Sequence, residues 1–253
     1  MASNYDFSGK RVLITGGTRG IGAALVHAFH EAGGRILLTG SDPRKLEELE
    51  QSNRGAGLTN IEYLHADFSI PTSLDTFLKN IEKMEELDIC VNNAGMNRNN
   101  PLQTIETYDL DRILQINLRA PMLICRSLCP VMCKNPSGGR IVNVSSIWGL
   151  IAKAGRSSYG AAKAGLASFS RHIAVDLAPH NILVNTVSPG FTMTELTETM
   201  LTKDEIAELA AQVPLGRIAD PSEIANVILF LCSDLNTFIT GHNLVVDGGF
   251  TIV

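Results

Sequence analysis

The sequence predicts an α/β fold, in which a doubly wound parallel sheet is covered by helices on both faces. Short apolar segments typical of strands alternate along the chain with longer segments of helical periodicity. Strands separated by helices pair in parallel, because each helix returns the chain to the same end of the sheet. The composition agrees, since 45% hydrophobic residues allow a large core and 22 glycines suit tight turns. We find no linker, repeat or low-complexity segment, so we expect a single domain over 1–253.

The first strand and the first helix enclose a turn rich in glycine. Residues 11–15 form a predicted strand with the apolar centre Val12, Leu13 and Ile14, and residues 23–32 have an amphipathic helical pattern. Between them, Gly16, Gly20 and Gly22 allow the backbone to approach a pyrophosphate closely, and the helix N-terminus offers N–H donors and a positive dipole. The GxxxGxG spacing differs by one residue from the GxGxxG of other dinucleotide-binding turns. This segment therefore predicts a dinucleotide site.

The end of the second strand bears on which dinucleotide binds. The strand over 35–39 is followed by Gly40 and Ser41, where an acidic residue would bond the ribose hydroxyls of NAD and repel the extra phosphate of NADP. Asp42 stands close to that position. It precedes Pro43 and a helical segment, so we interpret it as a helix N-cap with proline at the first helical position.

Three more strands are predicted over 61–65, 88–91 and 141–144. Asp67 follows the first of them, where a turn residue that caps the next segment is one interpretation. A long helix is predicted over 104–134, with Asn117 in its interior. Asparagine is mildly unfavourable inside a helix, and its usual position there is the surface.

One pair of side chains carries acid–base chemistry. Tyr159 and Lys163 stand four residues apart in an alanine-rich helical segment, so both project from one face. A neighbouring ammonium favours the phenolate, which brings the tyrosine pKa from about 10 toward neutral pH. Ser146 follows the strand over 141–144, where its hydroxyl is placed to hold a carbonyl oxygen for the tyrosine to protonate.

The last part of the chain returns twice more to the sheet. Its predicted elements are strands over 182–187 and 243–246 and a helix over 221–233. Pro189 and Gly190 follow the first of these strands. Residues 191–213 are then predicted either as a mobile lid over the substrate or as a plain surface helix hairpin. The apolar side chains that favour the lid are Met193, Leu196, Met200 and Leu201.

Taken in order, these segments resemble the short-chain dehydrogenase/reductase family over essentially all 253 residues. The motifs that carry the resemblance are TGGTRGIG from residue 15, NNAG from residue 92, Asn117, Ser146 with Tyr159 and Lys163, PG from residue 189 and DGG from residue 247. The resemblance implies a Rossmann-type sheet, with a dinucleotide-binding part over about 1–140 and a catalytic and substrate part over about 141–253. Within the family, the chain resembles members related to 3-oxoacyl-acyl-carrier-protein reductase.

The resemblance also implies the reaction and its residues. A carbonyl and a secondary alcohol would be interconverted, with Tyr159 delivering the proton, Lys163 lowering the tyrosine pKa and bonding the nicotinamide ribose, and Ser146 orienting the carbonyl oxygen. Asn117 would bend its helix and hold a water that links Lys163 to solvent. Asp67 would bond the adenine amino group. The cofactor contacts implied are Gly16, Thr18, Arg19, Gly20, Ile21, Gly22, Ser41, Asp67, Phe68, Asn93, Ala94, Gly95, Tyr159, Lys163, Pro189, Gly190, Thr192 and Thr194.

The resemblance favours NADP(H) over NAD(H). In similar family members, a basic residue at the position of Arg19 contacts the 2′-phosphate of NADP. Ser41 stands where an acid would oppose that phosphate. An NAD-dependent alcohol or sugar dehydrogenase is the alternative.

Two substrate classes stay open. Many similar chains reduce a 3-oxoacyl thioester on acyl carrier protein, which would then be a partner. Val175, however, stands where those reductases often carry a basic residue toward the acidic carrier protein. With a small ketone, sugar or secondary alcohol, Trp148, Lys153 and Arg156 would form a pocket wall, unless they are solvated turn residues.

Two further functions are less consistent with the residues. A catalytically silent NADPH-binding sensor or scaffold typically loses the tyrosine or lysine of the tetrad, and this chain keeps both. Enoyl reductases of the same fold space their tyrosine and lysine more widely than the four residues found here.

Composition and charge bear on partners and location. A net charge of −5 and a pI of about 5.7 give no electrostatic reason to expect nucleic acid or an anionic membrane surface. Arg119 and Arg126 interrupt the longest apolar stretch, and residues 1–10 show no signal-peptide core, so we expect a cytoplasmic protein. By resemblance, the helices around 105–134 and 157–178 pair across a dyad, which implies a homotetramer.

Five cysteines without a CxxC pair fit a reducing compartment. Cys125, Cys129 and Cys133 recur every fourth residue with no histidine among them. We predict that they are small packing residues rather than metal ligands, and the implied tetramer would place them at an interface.

Overall fold

Seven parallel strands form one sheet in the structure, which is a computed structural model. The structure describes residues 5–253, and for Leu196, Glu198 and Met200 it describes the backbone only. The strands are β1 (Arg11–Ile14), β2 (Arg35–Gly40), β3 (Ile61–His65), β4 (Ile89–Asn92), β5 (Gly139–Val144), β6 (Ile182–Pro189) and β7 (Asn243–Val246). Their order across the sheet is β3-β2-β1-β4-β5-β6-β7. The predicted α/β class and parallel sheet are confirmed.

Helices cover both faces of this sheet. They are α1 (Gly20–Glu31), α2 (Pro43–Gly55), α3 (Pro71–Ile81), α4 (Thr107–Leu114), α5 (Ala120–Met132), α6 (Ser157–Leu177), α7 (Glu195–Met200), α8 (Lys203–Ala211) and α9 (Pro221–Cys232). Helices α1 and α9 pack on one face, and α3, α5 and α6 on the other. The two cores alternate along β1, where Val12 and Ile14 belong to the first and Leu13 to the second. Strands buried on both faces explain the continuous apolar runs in the sequence.

The strand order leaves a crevice in the middle of the sheet. β1 pairs with β2 on one side and with β4 on the other. The chain runs from β1 outward to β3, crosses back to β4 and then runs outward to β7. The loops after β1 and β4 therefore diverge, and ligands of open α/β sheets bind at such a point, beyond the carboxyl ends of the strands.

The helix predicted over 104–134 is helical from Thr107 to Met132, and its regular α-helical pattern changes at the point where the resemblance implied a bend. A π-helical turn at Gln115–Arg119 separates α4 from α5. Asn117 lies in that turn, completely buried, and its side-chain amide donates to the main-chain oxygen of Ile113 at 2.9 Å. Pro121, in the first turn of α5, has no N–H to continue the regular ladder. Asn117 is thus buried and bonded rather than exposed.

The cysteine stripe packs inside the chain. Cys125 is buried in the core under α3, α5 and α6, and it accepts a 3.4 Å hydrogen bond from Asn92. Cys129 and Cys133 pack against the same core, with sulfur atoms 3.7 Å apart. The predicted packing role holds within the chain itself.

Over residues 5–253, no three His, Cys, Asp or Glu side chains are grouped to hold a metal, and no helix is both long and apolar enough to span a membrane.

Candidate active site

A groove of about 490 Å³ occupies the crevice at the carboxyl ends of β1 to β4. The loops that follow these strands and the start of α7 line it. The predicted cofactor residues in this lining are Gly16, Thr18, Arg19, Gly20, Ile21, Gly22, Ser41, Asp67, Phe68, Asn93, Ala94, Gly95 and Thr194. The structure thus brings most of the predicted cofactor residues to one elongated site.

The glycine turn needs glycine for two different reasons. Gly16 and Gly20 have φ angles of +67° and +54°, which L side chains rarely adopt. At Gly22, a Cβ atom would stand 2.0 Å from the main-chain oxygen of Gly16. Helix α1 begins at Gly20 with no acidic residue in its first turn, so its N-terminal N–H groups face the groove without a competing carboxylate.

Thr15 joins this turn to the loop after β4, and sequence reasoning missed its role. Its hydroxyl accepts hydrogen bonds from the main-chain N–H of Asn93 and of Ala94, each at 3.0 Å. The side-chain amide of Asn93 in turn donates to the main-chain oxygens of Thr15 and Gly16, each at 3.0 Å. Four hydrogen bonds therefore hold the two walls of the groove together.

Beyond β2, the groove lining contains Ser41, Asp42 and Lys45. Asp42 caps α2 as predicted, and its carboxylate accepts from the N–H groups of Arg44 and Lys45 at 2.9 and 3.3 Å. Lys45 lines the groove, as Arg19 does, and forms a 3.3 Å ion pair with Glu195 at the start of α7. The sequence analysis missed Lys45. Its place in the first turn of the helix that follows Ser41 could have identified it.

At the far end, Asp67 has the predicted role of a turn cap, and its bond to the adenine amino group stays a prediction. Its carboxylate accepts from the N–H and the hydroxyl of Ser69 at 2.8 and 2.7 Å, which makes it a turn cap, and it also lines the groove. Arg112 lines the same groove and was not predicted. Its Nε atom is buried with no hydrogen-bond partner, while its guanidinium lies 5.3 Å from the Tyr108 ring centre.

The four residues of the predicted tetrad lie next to this groove. Lys163 is 3% exposed, and its ammonium donates a 2.8 Å hydrogen bond to the main-chain oxygen of Val144 and lies 5.7 Å from the Tyr159 ring centre. A Cβ atom at Gly95 would stand 3.0 Å from Asn117 Oδ1 and 3.6 Å from Lys163 Nζ. Gly95 is in the groove lining, so Asn117 and Lys163 lie directly behind its wall.

Asn117 and Ser146 are each held by backbone groups. The Asn117 amide accepts from the N–H of Met96 at 3.3 Å and donates to its oxygen at 2.8 Å. The Ser146 hydroxyl caps a short 3₁₀ turn at Ile147–Gly149 and accepts from the N–H of Trp148 at 3.2 Å. Both side chains therefore have fixed orientations.

The electrostatics of the pair Tyr159 and Lys163 differ from the prediction. Removal of water from the phenol raises the pKa of Tyr159 above 10, and hydrogen bonding with Ser146 and then the charge of Arg156 oppose the rise only in part. Burial lowers the pKa of Lys163 to about 8. The Tyr159 pKa is therefore raised rather than lowered as predicted, because desolvation outweighs the opposing effects, and Lys163 is not among those effects. The positive charge that lowers the pKa of the Tyr159 phenol is that of Arg156.

The predicted residues after β6 divide between two places. Thr194 caps α7 and touches the glycine turn, where its Cγ2 atom would lie 3.1 Å from a Cβ at Gly20. Thr192 donates to the main-chain oxygen of Gly190 at 3.3 Å. Pro189, the last residue of β6, and Gly190 and Thr192 after it are not in the described groove lining, so their predicted cofactor contacts stay predictions.

Residues 191–213 form α7 and α8 with their connections, which fits either predicted interpretation. The main-chain N–H of Met193 donates to the oxygen of Ala219 at 2.8 Å, so the segment is tied to the loop before α9. The side chains of Leu196 and Met200, on which the lid prediction partly rests, lie outside the described atoms.

The three residues predicted to meet substrate gather around one ring. Lys153 lies 5.2 Å and Arg156 5.7 Å from the centre of the Trp148 ring. Phe191 and Phe250, which the sequence analysis missed, pack edge-on against that ring at 6.1 and 6.2 Å. Trp148 and Arg156 are half-buried, so they are more than solvated turn residues, whereas Lys153 is exposed.

Comparison with known proteins agrees with this architecture. Residues 16–251 match the protein-family model described as "Enoyl-(Acyl carrier protein) reductase". The chain is 37% identical to the 3-oxoacyl-[acyl-carrier-protein] reductase FabG of Chlamydia pneumoniae, over 96% of this chain and 97% of that protein. It is 35% identical to the same enzyme of Escherichia coli (strain K12), over 98% and 100% of the two chains.

Solved structures give the same result. A putative gluconate dehydrogenase from Agrobacterium tumefaciens matches with a TM-score of 0.89 and 30% identity, over 98% of both chains. A putative NAD(P) dependent gluconate 5-dehydrogenase from Beutenbergia cavernae, with bound NADP at low occupancy, matches with a TM-score of 0.91 and 27% identity, over 99% of this chain and 100% of that one. Sequence, fold and relatives agree that the chain belongs to the short-chain dehydrogenase/reductase family of oxidoreductases.

Proposed function

We propose that the protein is an NADP(H)-dependent reductase that interconverts a carbonyl and a secondary alcohol. The observation that carries the proposal is the grouping of Ser146, Tyr159 and Lys163 beside a dinucleotide-sized groove. Residues 1–140 would supply most of that groove, and residues 141–253 the acid–base groups and the substrate surface.

The groove fits a dinucleotide phosphate in three respects. Positive φ angles at Gly16 and Gly20 and the bare Cα of Gly22 keep the turn clear of side chains. The N-terminus of α1 offers unopposed N–H donors to a pyrophosphate. Arg19 and Lys45 place positive charge at the end where the 2′-phosphate of NADP would lie. When bound there, NADPH supplies the hydride.

The chain's own residues then handle the proton. The raised pKa of Tyr159 keeps its phenol protonated at neutral pH, which is the form that donates a proton to an oxygen gaining negative charge. Ser146, oriented by Trp148 N–H, would donate a hydrogen bond to that same oxygen. Lys163, anchored on Val144, would bond the nicotinamide ribose, and Asn117 would support proton resupply behind the wall at Gly95.

The charges at the groove support NADP(H) over NAD(H). Ser41 stands where an acid would bond the ribose hydroxyls of NAD, and Asp42, which also lines the groove, uses its Oδ1 atom to cap α2. The Lys45 ammonium pairs with Glu195, and a phosphate would compete with that carboxylate. The Beutenbergia neighbour with bound NADP is consistent with this preference.

For the substrate, the relatives support a 3-oxoacyl thioester, with acyl carrier protein as a partner. Val175, 75% exposed on α6, offers no positive charge to an acidic carrier, so a small carbonyl compound is the second candidate. The two gluconate dehydrogenases support that candidate. The description of the matching family model adds a 2-enoyl thioester, whose reduction would use a C=C bond instead.

One assay separates these substrates. NADPH oxidation by the purified protein is measured with a short 3-oxoacyl thioester, free and on carrier protein, with the matching 2-enoyl thioester, and with small ketones and oxo sugars. Faster turnover of the carrier-bound 3-oxoacyl group supports the first candidate, and turnover of small carbonyls alone supports the second. Tight NADPH binding with no turnover of any compound would contradict the proposal and favour a sensor or scaffold.

The oligomeric state of the protein is a separate proposal. We propose that the protein forms a homotetramer, as the family resemblance implies, and light scattering of the purified protein at micromolar concentration measures its mass directly. A monomeric mass over the whole concentration range would contradict this.

A further inference from the structure

Two cations stand beside the reacting residues without a carboxylate partner. Arg156, the residue just before α6, precedes Tyr159 by three residues, and its charge acts on the phenol. Lys153 lies 5.9 Å from the Phe191 ring centre and 5.2 Å from that of Trp148. Within residues 5–253, neither cation forms an ion pair, whereas Arg98 and Lys45 each face an acid.

Because Arg156 is partly buried, the lack of a carboxylate partner for its guanidinium is significant. Arg156 is half-buried, and desolvation lowers its pKa. A guanidinium that has lost part of its water and faces aromatic rings gains most from an anion, because the local dielectric is low and five N–H donors are available. The aromatic faces of Trp148 and Phe191 hold the cations by cation–π contact until an anion arrives.

The loop that carries the cations is held in place. The main-chain N–H of Asn100 donates to the oxygen of Gly155 at 3.1 Å, next to Arg156. The side chain of Asn100 donates to Asp109, a carboxylate only 2% exposed that also binds Arg98 at 3.0 Å. The backbone that carries Arg156 is thus held by a neighbouring loop that is itself anchored on a buried carboxylate.

An apolar surface adjoins the charges. Phe191 and Phe250 stand edge-on at 5.0 Å, and both contact Trp148. Trp148, Lys153 and Arg156 also line a cavity of about 500 Å³, which lies beside Gly160, Ala161 and Ala164 of α6 rather than beside Tyr159 or the two phenylalanines. Rings next to two cations suit a short carbon chain that ends in an anion.

We propose that the substrate is a short oxo acid, whose carbonyl oxygen lies at Ser146 and Tyr159 and whose carboxylate binds Arg156 and Lys153 over the Trp148 ring. This rests on the proposed reductase function and names its substrate class. In the reduction, the carbonyl carbon accepts a hydride from NADPH, the carbonyl π bond opens and the oxygen takes the proton of Tyr159. NADPH is oxidised to NADP⁺, the oxo acid becomes a hydroxy acid, and the carboxylate is unchanged.

The first test compares acids with their esters. For 3-oxobutanoate, 4-oxopentanoate and 5-oxohexanoate, kcat/KM is measured beside the corresponding methyl ester, and the acid-to-ester ratio is the readout. That ratio cancels effects of Arg156 on Tyr159, which act on both members of a pair. We expect at least one acid to exceed its ester, with Arg156→Gln and Lys153→Gln each lowering the ratio roughly 10- to 100-fold, as for loss of a charged hydrogen bond.

Two variants serve as controls. Arg156→Lys keeps the charge and should restore part of the ratio. Lys79→Gln removes an exposed charge from α3, away from the site, and should leave both activity and ratio unchanged. Ratios near one in the wild type, unchanged in Arg156→Gln and Lys153→Gln, would overturn the inference.

The second test needs no turnover. Trp148 is the single tryptophan of the chain, so its fluorescence reports on this site alone. Titration with pentanoate should change the emission with saturation, titration with pentanamide should not, and Arg156→Gln should remove the pentanoate response. A saturable response without reduction of any carbonyl would retain the anion site and reject the reductase function. Reduction of esters without any response to pentanoate would retain the reductase function and reject the anion site.

Discussion

The ammonium of Lys163 donates a 2.8 Å hydrogen bond to the main-chain oxygen of Val144, the last residue of β5. The sheet thereby fixes the position of the only lysine that approaches the Tyr159 ring among the described residues. It also places a charged group where water is nearly absent, since Lys163 is 3% exposed. This burial has a measurable consequence for stability.

The pKa of Lys163 is lowered to about 8 in the folded protein, from 10.5 in an unfolded chain. Between these values the unfolded state binds more protons, so the free energy of unfolding rises with pH. We expect wild type to gain about 2 kcal/mol relative to Lys163→Met between pH 7 and about pH 9.5. Urea unfolding at both pH values measures this, and parallel pH profiles of the two proteins would show that Lys163 titrates normally.

Tyr159→Phe removes the proposed proton donor and keeps the ring. We expect kcat to fall about 1,000-fold, within the range for general acid catalysis, while the Kd for NADPH changes less than about threefold. Steady-state kinetics and a cofactor titration measure the two quantities. Tyr108→Phe, which removes the hydroxyl of a tyrosine 68% exposed on α4, should leave kcat unchanged. Full activity of Tyr159→Phe would reject the assignment.

Arg19→Ala and Lys45→Ala test the phosphate end of the groove. Each should raise the Kd for NADPH about tenfold and leave that for NADH nearly unchanged, because a charge-assisted contact to phosphate is lost. Arg44→Ala is the matched control, since Arg44 neighbours Lys45 but is exposed and outside the groove lining. Equal binding of NADPH and NADH by all four proteins would show that the 2′-phosphate is not recognised.

Asn117→Leu tests the buried amide in the π-helical turn. The change leaves three main-chain groups, on Met96 and Ile113, without their partner, at a cost of about 3 kcal/mol in unfolding free energy. Asn80→Leu, at an exposed position on α3, should stay within about 0.5 kcal/mol of wild type. Chemical denaturation compares them, and equal midpoints would mean that water replaces the amide.

Gly22→Ala tests the close approach inside the glycine turn. The added Cβ would meet the Gly16 oxygen at 2.0 Å, so we expect a loss of about 3 kcal/mol in stability and loss of NADPH binding. Gly55→Ala, at the end of α2 with open space around it, should stabilise by about 0.5–1 kcal/mol. Thermal unfolding with and without NADPH gives both results, and an unperturbed Gly22→Ala would show that the turn can relax.

Much of the fold could be predicted because it depends on local patterns. Apolar runs identified the strands, and Asp42 followed by Pro43 identified the start of α2. The break at Asn117 could not be identified in this way, because it depends on Met96, which belongs to another loop. Periodicity reports which face of a helix is buried, but not which backbone groups outside the helix need a partner.

The sequence by itself determined the alternation of strands and helices, the glycine turn and the spacing of Tyr159 and Lys163, since each depends on residues close together in the chain. Only the tertiary structure decided the bonds from Thr15 to the loop after β4, the ion pair of Lys45 with Glu195 and the aromatic cluster around Trp148. It also decided the sign of the Tyr159 pKa shift. Those contacts join distant segments, and desolvation depends on all the atoms around a group, which spacing along a chain does not specify.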